Sequence, residues 1–315
     1  MIPLATLSTL HYQLSTINYY NIVFIFKNPV LVASGTFGYA REMEGVLDLS
    51  RLGGIIPKTV TLYPRTGNIP PRTAETASGL LNSIGLDNDG IDDFICNKLP
   101  YLKTLNTKII LSIAPKNTEE CPVFGEKLGL AAGIDAVELN LSCPNVSGGV
   151  DFATDPKLCE KIVSTFRRVT LLPLLVKLSP NVTNIADAAR AAEQGGANGI
   201  SAINTCLGLA VDWRKRCPRL GNGFGGLSGP AIKPIALRCV RQIFKAVKIP
   251  VLGIGGIETI DDVMEFFITG ASAVQIGTAN FYNPTATIQI LDALPNALKE
   301  LGAENIAEII GTLEM

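Results

Sequence analysis

Short apolar runs recur along the chain, and stretches with helical spacing separate most of them. Runs of this kind, bounded by Gly, Pro, Asn or Ser, predict buried strands. They fall at Val30–Gly35, Gly54–Thr59, Lys108–Ala114, Ala136–Ser142, Leu174–Ser179, Gly199–Thr205, Pro250–Gly255 and Ala273–Thr278. Helical periodicity lies between them, as at Asn184–Gln194 and Ala231–Val247. Eight strands alternating with helices predict an α/β fold, a (β/α)8 barrel. No Pro/Ser-rich linker or charge block divides the chain, so a single domain is expected over residues 29–315. Residues 1–28 read as a lead-in, a candidate hairpin.

Parity adds the orientation of the side chains. In the fourth run, Glu138, Asn140 and Ser142 share one face, and Val137, Leu139 and Leu141 share the other. The apolar face should meet the helices and the polar face should point into the barrel. The same logic turns Lys58, Lys177 and Asn204 inward. A buried lysine is costly unless an anion or an acceptor meets it. One such lysine is ordinarily a rim residue whose ammonium reaches water. Two lysines and two asparagines on one rim point instead to a ligand.

Glycines mark the end of that ligand site. "GIGGIET" (253–259) follows the seventh run, and "GTANF" (277–281) follows the eighth. In a barrel of this kind these two loops are the usual phosphate cradle, because bare backbone lets N–H groups approach phosphate oxygens. Tight strand-to-helix turns are the plainer reading of either loop alone; the pair favours phosphate. "GNGFGG" (221–226) matches G-x-G-x-x-G, but it follows "DWRKRCPRL" rather than a strand. It lacks the dinucleotide context and reads as a mobile loop before the next helix.

Composition removes several classes. The 315 residues are 47% hydrophobic and 17% charged, which is inconsistent with disorder. A net charge of -1 argues against a nucleic-acid partner. The seven cysteines include no C-x-x-C pair, so neither a disulfide framework nor a cysteine-only metal site is expected, and a reducing, cytoplasmic setting fits. The single histidine, His11, lies in the lead-in, which leaves no Ser-His-Asp, Cys-His or multi-histidine metal centre. The N-terminus has no convincing signal-peptide pattern, and the apolar runs are too short to span a bilayer.

"NPVLVASGTFGY" (28–39), "PKTVTLYPRTGN" (57–68), "NSIGLDNDG" (82–90), "VELNLSCPNV" (137–146), "KLSPNVT" (177–183), "INTCLG" (203–208), "GGLSGPAIKP" (225–234) and "GIGGIET...GASAVQIGTANF" (253–281) stand in one order after residue 28. Together they resemble the class 1 dihydroorotate dehydrogenases, flavin enzymes of pyrimidine synthesis. "IGLDNDG" and "SGGVDFATDP" resemble the NAD-linked subtype (1B). The resemblance implies one FMN per chain and oxidation of dihydroorotate to orotate. It also implies electron transfer to NAD through a partner subunit carrying FAD and a 2Fe–2S cluster, with a homodimer inside a heterotetramer. Two departures stand out. The family usually has asparagine near Ser112, where it touches the flavin, and glycine soon after, where this chain has Pro115.

The resemblance also implies roles. Cys143 matches the base that takes the C5 proton, with Lys58 beside substrate and flavin. Asn82, Ser83, Ile84, Gly85 and Leu86, with Asn140, Asn204 and Thr205, are implied to hold orotate. Ser34, Lys58, Thr59, Ser112, Asn140, Lys177, Ile203, Gly229, Gly255, Gly256, Gly277 and Thr278 are implied to hold FMN. No metal is expected. The alternatives are a fumarate-linked dihydroorotate dehydrogenase, a related flavin-dependent pyrimidine oxidoreductase, a phosphate-binding barrel aldolase using Lys177 as its Schiff base, and a non-catalytic scaffold.

Overall fold

A computed structural model describes residues 26–141, 152 and 154–314. Its core is a closed barrel of eight parallel strands in chain order: β1 (Val30–Val32), β2 (Gly54–Ile55), β3 (Lys108–Ile113), β4 (Ala136–Asn140), β5 (Leu174–Leu178), β6 (Gly199–Ala202), β7 (Val251–Ile254) and β8 (Ala273–Ile276). β1 pairs with both β2 and β8, which closes the ring. Each strand lies within one predicted run. All eight stop short of the predicted C-terminal ends, and the described residues left over form the rim.

The parity reading holds in β4 and β5, whereas in β6 Ser201 is the inward residue and Asn204 reaches Asn140 from beyond the strand end, out of step with the alternation. Val137, Leu139, Val176 and Leu178 pack outward in the large core between barrel and helices. The opposite face carries an apolar floor of Leu31, Ile56, Ile110, Ala136, Leu175, Leu252 and Ala273, with Phe26 packed against it. Above that floor sits a polar layer. Gln275 Nε2 donates to Glu138 Oε2 at 2.9 Å and to Ser201 Oγ at 3.1 Å, and all three residues are fully buried. Asn140 and Lys177 come next, paired across β4 and β5.

The helices follow their caps. The Asn184 side chain accepts from Ala186 N at 3.2 Å and starts Ile185–Gln194. The run predicted as Ala231–Val247 opens as a 3-10 turn, Pro230–Ile232, and continues as Lys233–Ala246. Among the described residues no helix is long and apolar enough to cross a membrane. The candidate hairpin falls almost wholly on residues 1–25, outside the described residues.

One expectation is corrected. The segment 221–226 is not simply a loop: Phe224–Ser228 is a strand of a four-stranded antiparallel sheet with Thr73–Thr76, Gly79–Asn82 and Cys206–Leu209. Its glycines hide the strand pattern because neighbouring groups occupy the space of their side chains. A Cβ on Gly225 would lie 2.6 Å from the Asn82 carbonyl oxygen, and one on Gly226 would lie 2.0 Å from Thr205 Oγ1. The sheet therefore leans directly on the rim at Thr205.

Candidate active site

The rim carries a continuous chain of hydrogen bonds. Ser34 Oγ lies 3.1 Å from Thr59 Oγ1 and donates to the Pro57 carbonyl at 2.9 Å. Thr59 Oγ1 lies 2.9 Å from Ser112 Oγ and accepts from Asn140 Nδ2 at 3.4 Å. Asn140 Oδ1 accepts from Asn204 Nδ2 at 3.2 Å, and Asn204 Oδ1 accepts from Thr205 N at 2.8 Å. Six residues expected at the site, from β1, β2, β3, β4 and β6 or the loops after them, thus meet at the barrel mouth. Ser112 is fully buried and its hydroxyl bonds Thr59, so it lies under the rim as a support for Thr59.

Lys177 stands among these residues on the fifth strand. It pairs in register with Asn140 on one side and Ser201 on the other. It is buried, 6% exposed, and among the described residues its ammonium has no hydrogen-bond or ion-pair partner. Lys58, half-buried beside Thr59, likewise has no side-chain partner among the described residues. Among the described residues neither cation has an ion-pair partner, and the buried Glu138 carboxylate one layer below is bonded to Gln275 instead, an arrangement that suits an anionic ligand.

The glycine loops lie against the same mouth. A Cβ on Gly277 would stand 3.6 Å from Ala33 Cβ, in ordinary contact, so this loop runs beside the residue before Ser34. A Cβ on Gly229, at φ +91°, would lie 3.6 Å from Thr278 Cγ2, and one on Gly255, at φ +121°, would lie 3.4 Å from Ile203 Cγ1. Among the described residues the N–H groups of Gly256, Gly277 and Thr278 have no acceptor. Unpaired donors on bare backbone fit a phosphate group. Gly256 differs in its packing: its φ is +77° and a Cβ would lie 2.8 Å from Lys233 N. Its lack of a side chain is therefore also demanded by the helix start.

The segment Asn82–Leu86 reaches the mouth from the accessory sheet. Asn82 Nδ2 donates to the Gly226 carbonyl at 3.3 Å, next to Thr205. Ser83 is fully buried, and its hydroxyl has no partner among the described residues. Gly85 and Leu86 both adopt positive φ, 77° and 57°. Asn68 sets that turn, since its N–H donates to the Ile84 carbonyl at 3.0 Å and its amide to the Ser83 carbonyl at 3.1 Å. Arg72 bonds Asp87 at 2.8 Å and closes the turn from behind. Cys143 lies outside the described residues.

Several supports escaped the sequence reading. Asn181 donates to Ser179 Oγ and to the Thr205 carbonyl, both at 3.0 Å, and accepts from Leu207 N at 2.8 Å. It fixes the exit from β6, yet nothing in the apolar pattern marks it. Gln275 and Ser201 are missed for the same reason. Among the described residues no cluster of His, Cys, Asp or Glu could hold a metal ion.

A sequence model of the family described as dihydroorotate dehydrogenase matches residues 20–298. The chain belongs to the dihydroorotate dehydrogenase family. Within it, the protein is 50% identical over 288 residues to the "Dihydroorotate dehydrogenase B (NAD(+)), catalytic subunit" of Geotalea uraniireducens, covering 91% of this chain and 94% of the relative. It is 50% identical over 289 residues to the protein of that name from Desulforamulus reducens, covering 91% and 95%. The protein of that name from Alkaliphilus metalliredigens is 50% identical over 288 residues, again covering 91% and 95%. The resemblance to the NAD-linked subtype, the oxidoreductase class and the barrel are borne out. Nothing in these matches supports an aldolase. The name of these relatives describes one subunit of a larger assembly.

Proposed function

We propose that this dihydroorotate dehydrogenase family member oxidises dihydroorotate to orotate in de novo pyrimidine biosynthesis, with FMN held at the barrel mouth. Electrons then pass to NAD through a partner subunit carrying FAD and a 2Fe–2S cluster, within a cytoplasmic heterotetramer built on a homodimer of this chain. The observation that carries the reading is Lys177: a buried, unpartnered cation, among the described residues, in a polar ring that ends in two glycine loops with unpaired N–H groups.

Bound there, FMN would supply the acceptor for the hydride that leaves C6 of dihydroorotate. The unpaired N–H groups of Gly256, Gly277 and Thr278 suit its phosphate, with Gly229, Gly255 and Ile203 shaping the loops around them. Ser34, Thr59 and Asn140 would present hydroxyl and amide groups to its ring system, and Lys177 would offer positive charge to stabilise the reduced, anionic ring. Asn82, Asn204 and Thr205 offer donors and acceptors complementary to a flat ring bearing carbonyls, N–H groups and a carboxylate. The segment Ser83–Leu86 would close the substrate side, and the Lys58 ammonium would offer its charge to the substrate. Cys143 takes the C5 proton on its sulfur. A thiol ionises near pH ~8.5 unless tuned, so this step should speed up as the thiolate fraction rises.

The electron route is tested by following orotate formation with different acceptors. Turnover with a dye acceptor is expected from this chain alone, and turnover with NAD+ only after the partner subunit is added. Rapid NAD+ reduction by the chain alone would overturn the route. Fumarate-supported turnover without the partner would replace it with the fumarate-linked reaction.

A further inference from the structure

The loop after β7 is held by residues that no expected site contains. Asp262 Oδ2 accepts from Glu258 N and Thr259 N, both at 2.8 Å, and from Thr259 Oγ1 at 3.1 Å. Thr259 Oγ1 in turn accepts from Asp262 N at 3.3 Å, which makes a capping box at the start of Ile260–Thr269. The other oxygen, Asp262 Oδ1, accepts from Lys233 Nζ at 2.6 Å, and Glu265 Oε2 lies 2.9 Å from the same ammonium. Lys233 is the first residue of Lys233–Ala246, and its backbone N and Cβ stand 2.8 and 2.7 Å from the position a Gly256 Cβ would take. The contacts close a ring: Gly256 against Lys233, Lys233 to Asp262, and Asp262 back to the backbone at Glu258 and Thr259. Asp262 is itself buried, 8% exposed.

We infer that Lys233 and Asp262 form a clasp that positions the β7 loop as a phosphate cradle, without either residue touching the phosphate. The inference rests on the flavin reading above and adds to it the pair that shapes the cradle. A flexible glycine loop would spend part of its binding energy on ordering itself. Here the clasp fixes both ends of 255–259, so the loop's free N–H groups stay arranged for the anion. Two contacts speak against Lys233 as the phosphate's own counter-charge. Its ammonium is already committed to two carboxylates, and those contacts hold its pKa above the ordinary lysine value, Asp262 first and Glu265 second.

Simple electrostatics and the clasp predict opposite signs for one variant. Asp262→Asn removes a negative charge near a site for an anion, which alone would tighten FMN binding. The clasp predicts the reverse, because the amide must turn its N–H group either to Lys233 or to the backbone N–H groups of Glu258 and Thr259, and so loses one side of the clasp. Apoprotein is titrated with FMN and, separately, with riboflavin, which lacks the phosphate, and flavin fluorescence is read. The expected result is about tenfold weaker FMN binding for Asp262→Asn, the scale of a charge-assisted hydrogen bond, with riboflavin changed less than about twofold. Lys233→Met should act like Asp262→Asn, Lys233→Arg should restore most of the affinity, and the double variant should be no worse than the worse single one. Unfolding curves of each apoprotein are recorded alongside, so that lost folding is distinguished from lost positioning. Tighter or unchanged FMN binding by Asp262→Asn overturns the clasp. So does an equal loss for FMN and riboflavin. If the wild type binds neither flavin, the functional reading fails instead.

Discussion

Lys177→Met should make the flavin-free protein more stable and the flavin-bound protein comparatively less so. Lys177 is 6% exposed, and its two neighbours in register, Asn140 and Ser201, are neutral. Glu138 points into the same interior one layer down but is not an ion-pair partner of Lys177. An ammonium in such a place loses several kcal/mol of hydration that nothing among the described residues restores. Methionine fills a similar volume and adapts to the available space, so little packing is lost. The apoprotein should gain about 1–3 kcal/mol, or roughly 2–6 °C in melting temperature for a chain of this size. Urea unfolding of the apoprotein measures the gain through the midpoint, with m unchanged. Saturating FMN should then protect the wild type more than the variant, because only the wild type offers a cation to the ring. An apoprotein destabilised by more than about 1 kcal/mol would mean that the ammonium already has a partner. Equal FMN protection of both proteins would mean that Lys177 does not serve the flavin.

Four further outcomes follow from the same geometry. Cys143→Ser should slow flavin reduction by dihydroorotate by about 10²–10⁴-fold, the usual worth of a positioned base, with a residual rate that climbs with pH in stopped-flow traces; a wild-type rate would remove Cys143 from the chemistry. Cys159→Ser is the control and should reduce flavin at the normal rate, since that thiol is buried in Pro156–Arg167, where burial and then Glu160 push its pKa up to about 12. Gly277→Ala should leave stability nearly unchanged, because its Cβ meets nothing closer than 3.6 Å, whereas Gly256→Ala should cost about 1 kcal/mol or more of stability, read as a lower unfolding midpoint, through its positive φ and the collision with Lys233. Burial alone would raise the Asp262 carboxyl, but the Lys233 ammonium and the N–H groups of Glu258 and Thr259 outweigh it and hold it below the ordinary value; the clasp's contribution to stability should therefore be complete above the unfolded aspartate pKa and vanish as pH falls through the lower folded one, and Asp262→Asn should flatten that part of the acid unfolding curve.

The barrel was legible because its strands are buried on both faces, so each reads as an apolar run broken only at inward polar positions. Those breaks, Glu138, Asn140 and Lys177, carried the orientation of the mouth. The accessory sheet was not legible, because Gly225 and Gly226 give up side chains for close approach to Asn82 and Thr205 and so erase the alternation that marks a strand. The segment Asn82–Leu86 was found through its motif alone; its shape depends on Asn68 and Arg72, which period cannot connect to it. Lys233 and Asp262 meet across 29 residues, and only the capping-box spacing of Thr259 and Asp262 left a local trace of that clasp. The departure at Ser112 has a simple reading in the structure: the hydroxyl supports Thr59 from below.

The central claim is that the barrel mouth binds a flavin and that dihydroorotate reduces it there. An absorbance spectrum of the purified protein, recorded before and after anaerobic addition of dihydroorotate, tests both halves at once. The account predicts the bands of an oxidised flavin, present on isolation or restored by FMN, and their bleaching when dihydroorotate is added. A protein that stays colourless after incubation with FMN, or flavin bands that dihydroorotate leaves unchanged, would contradict it.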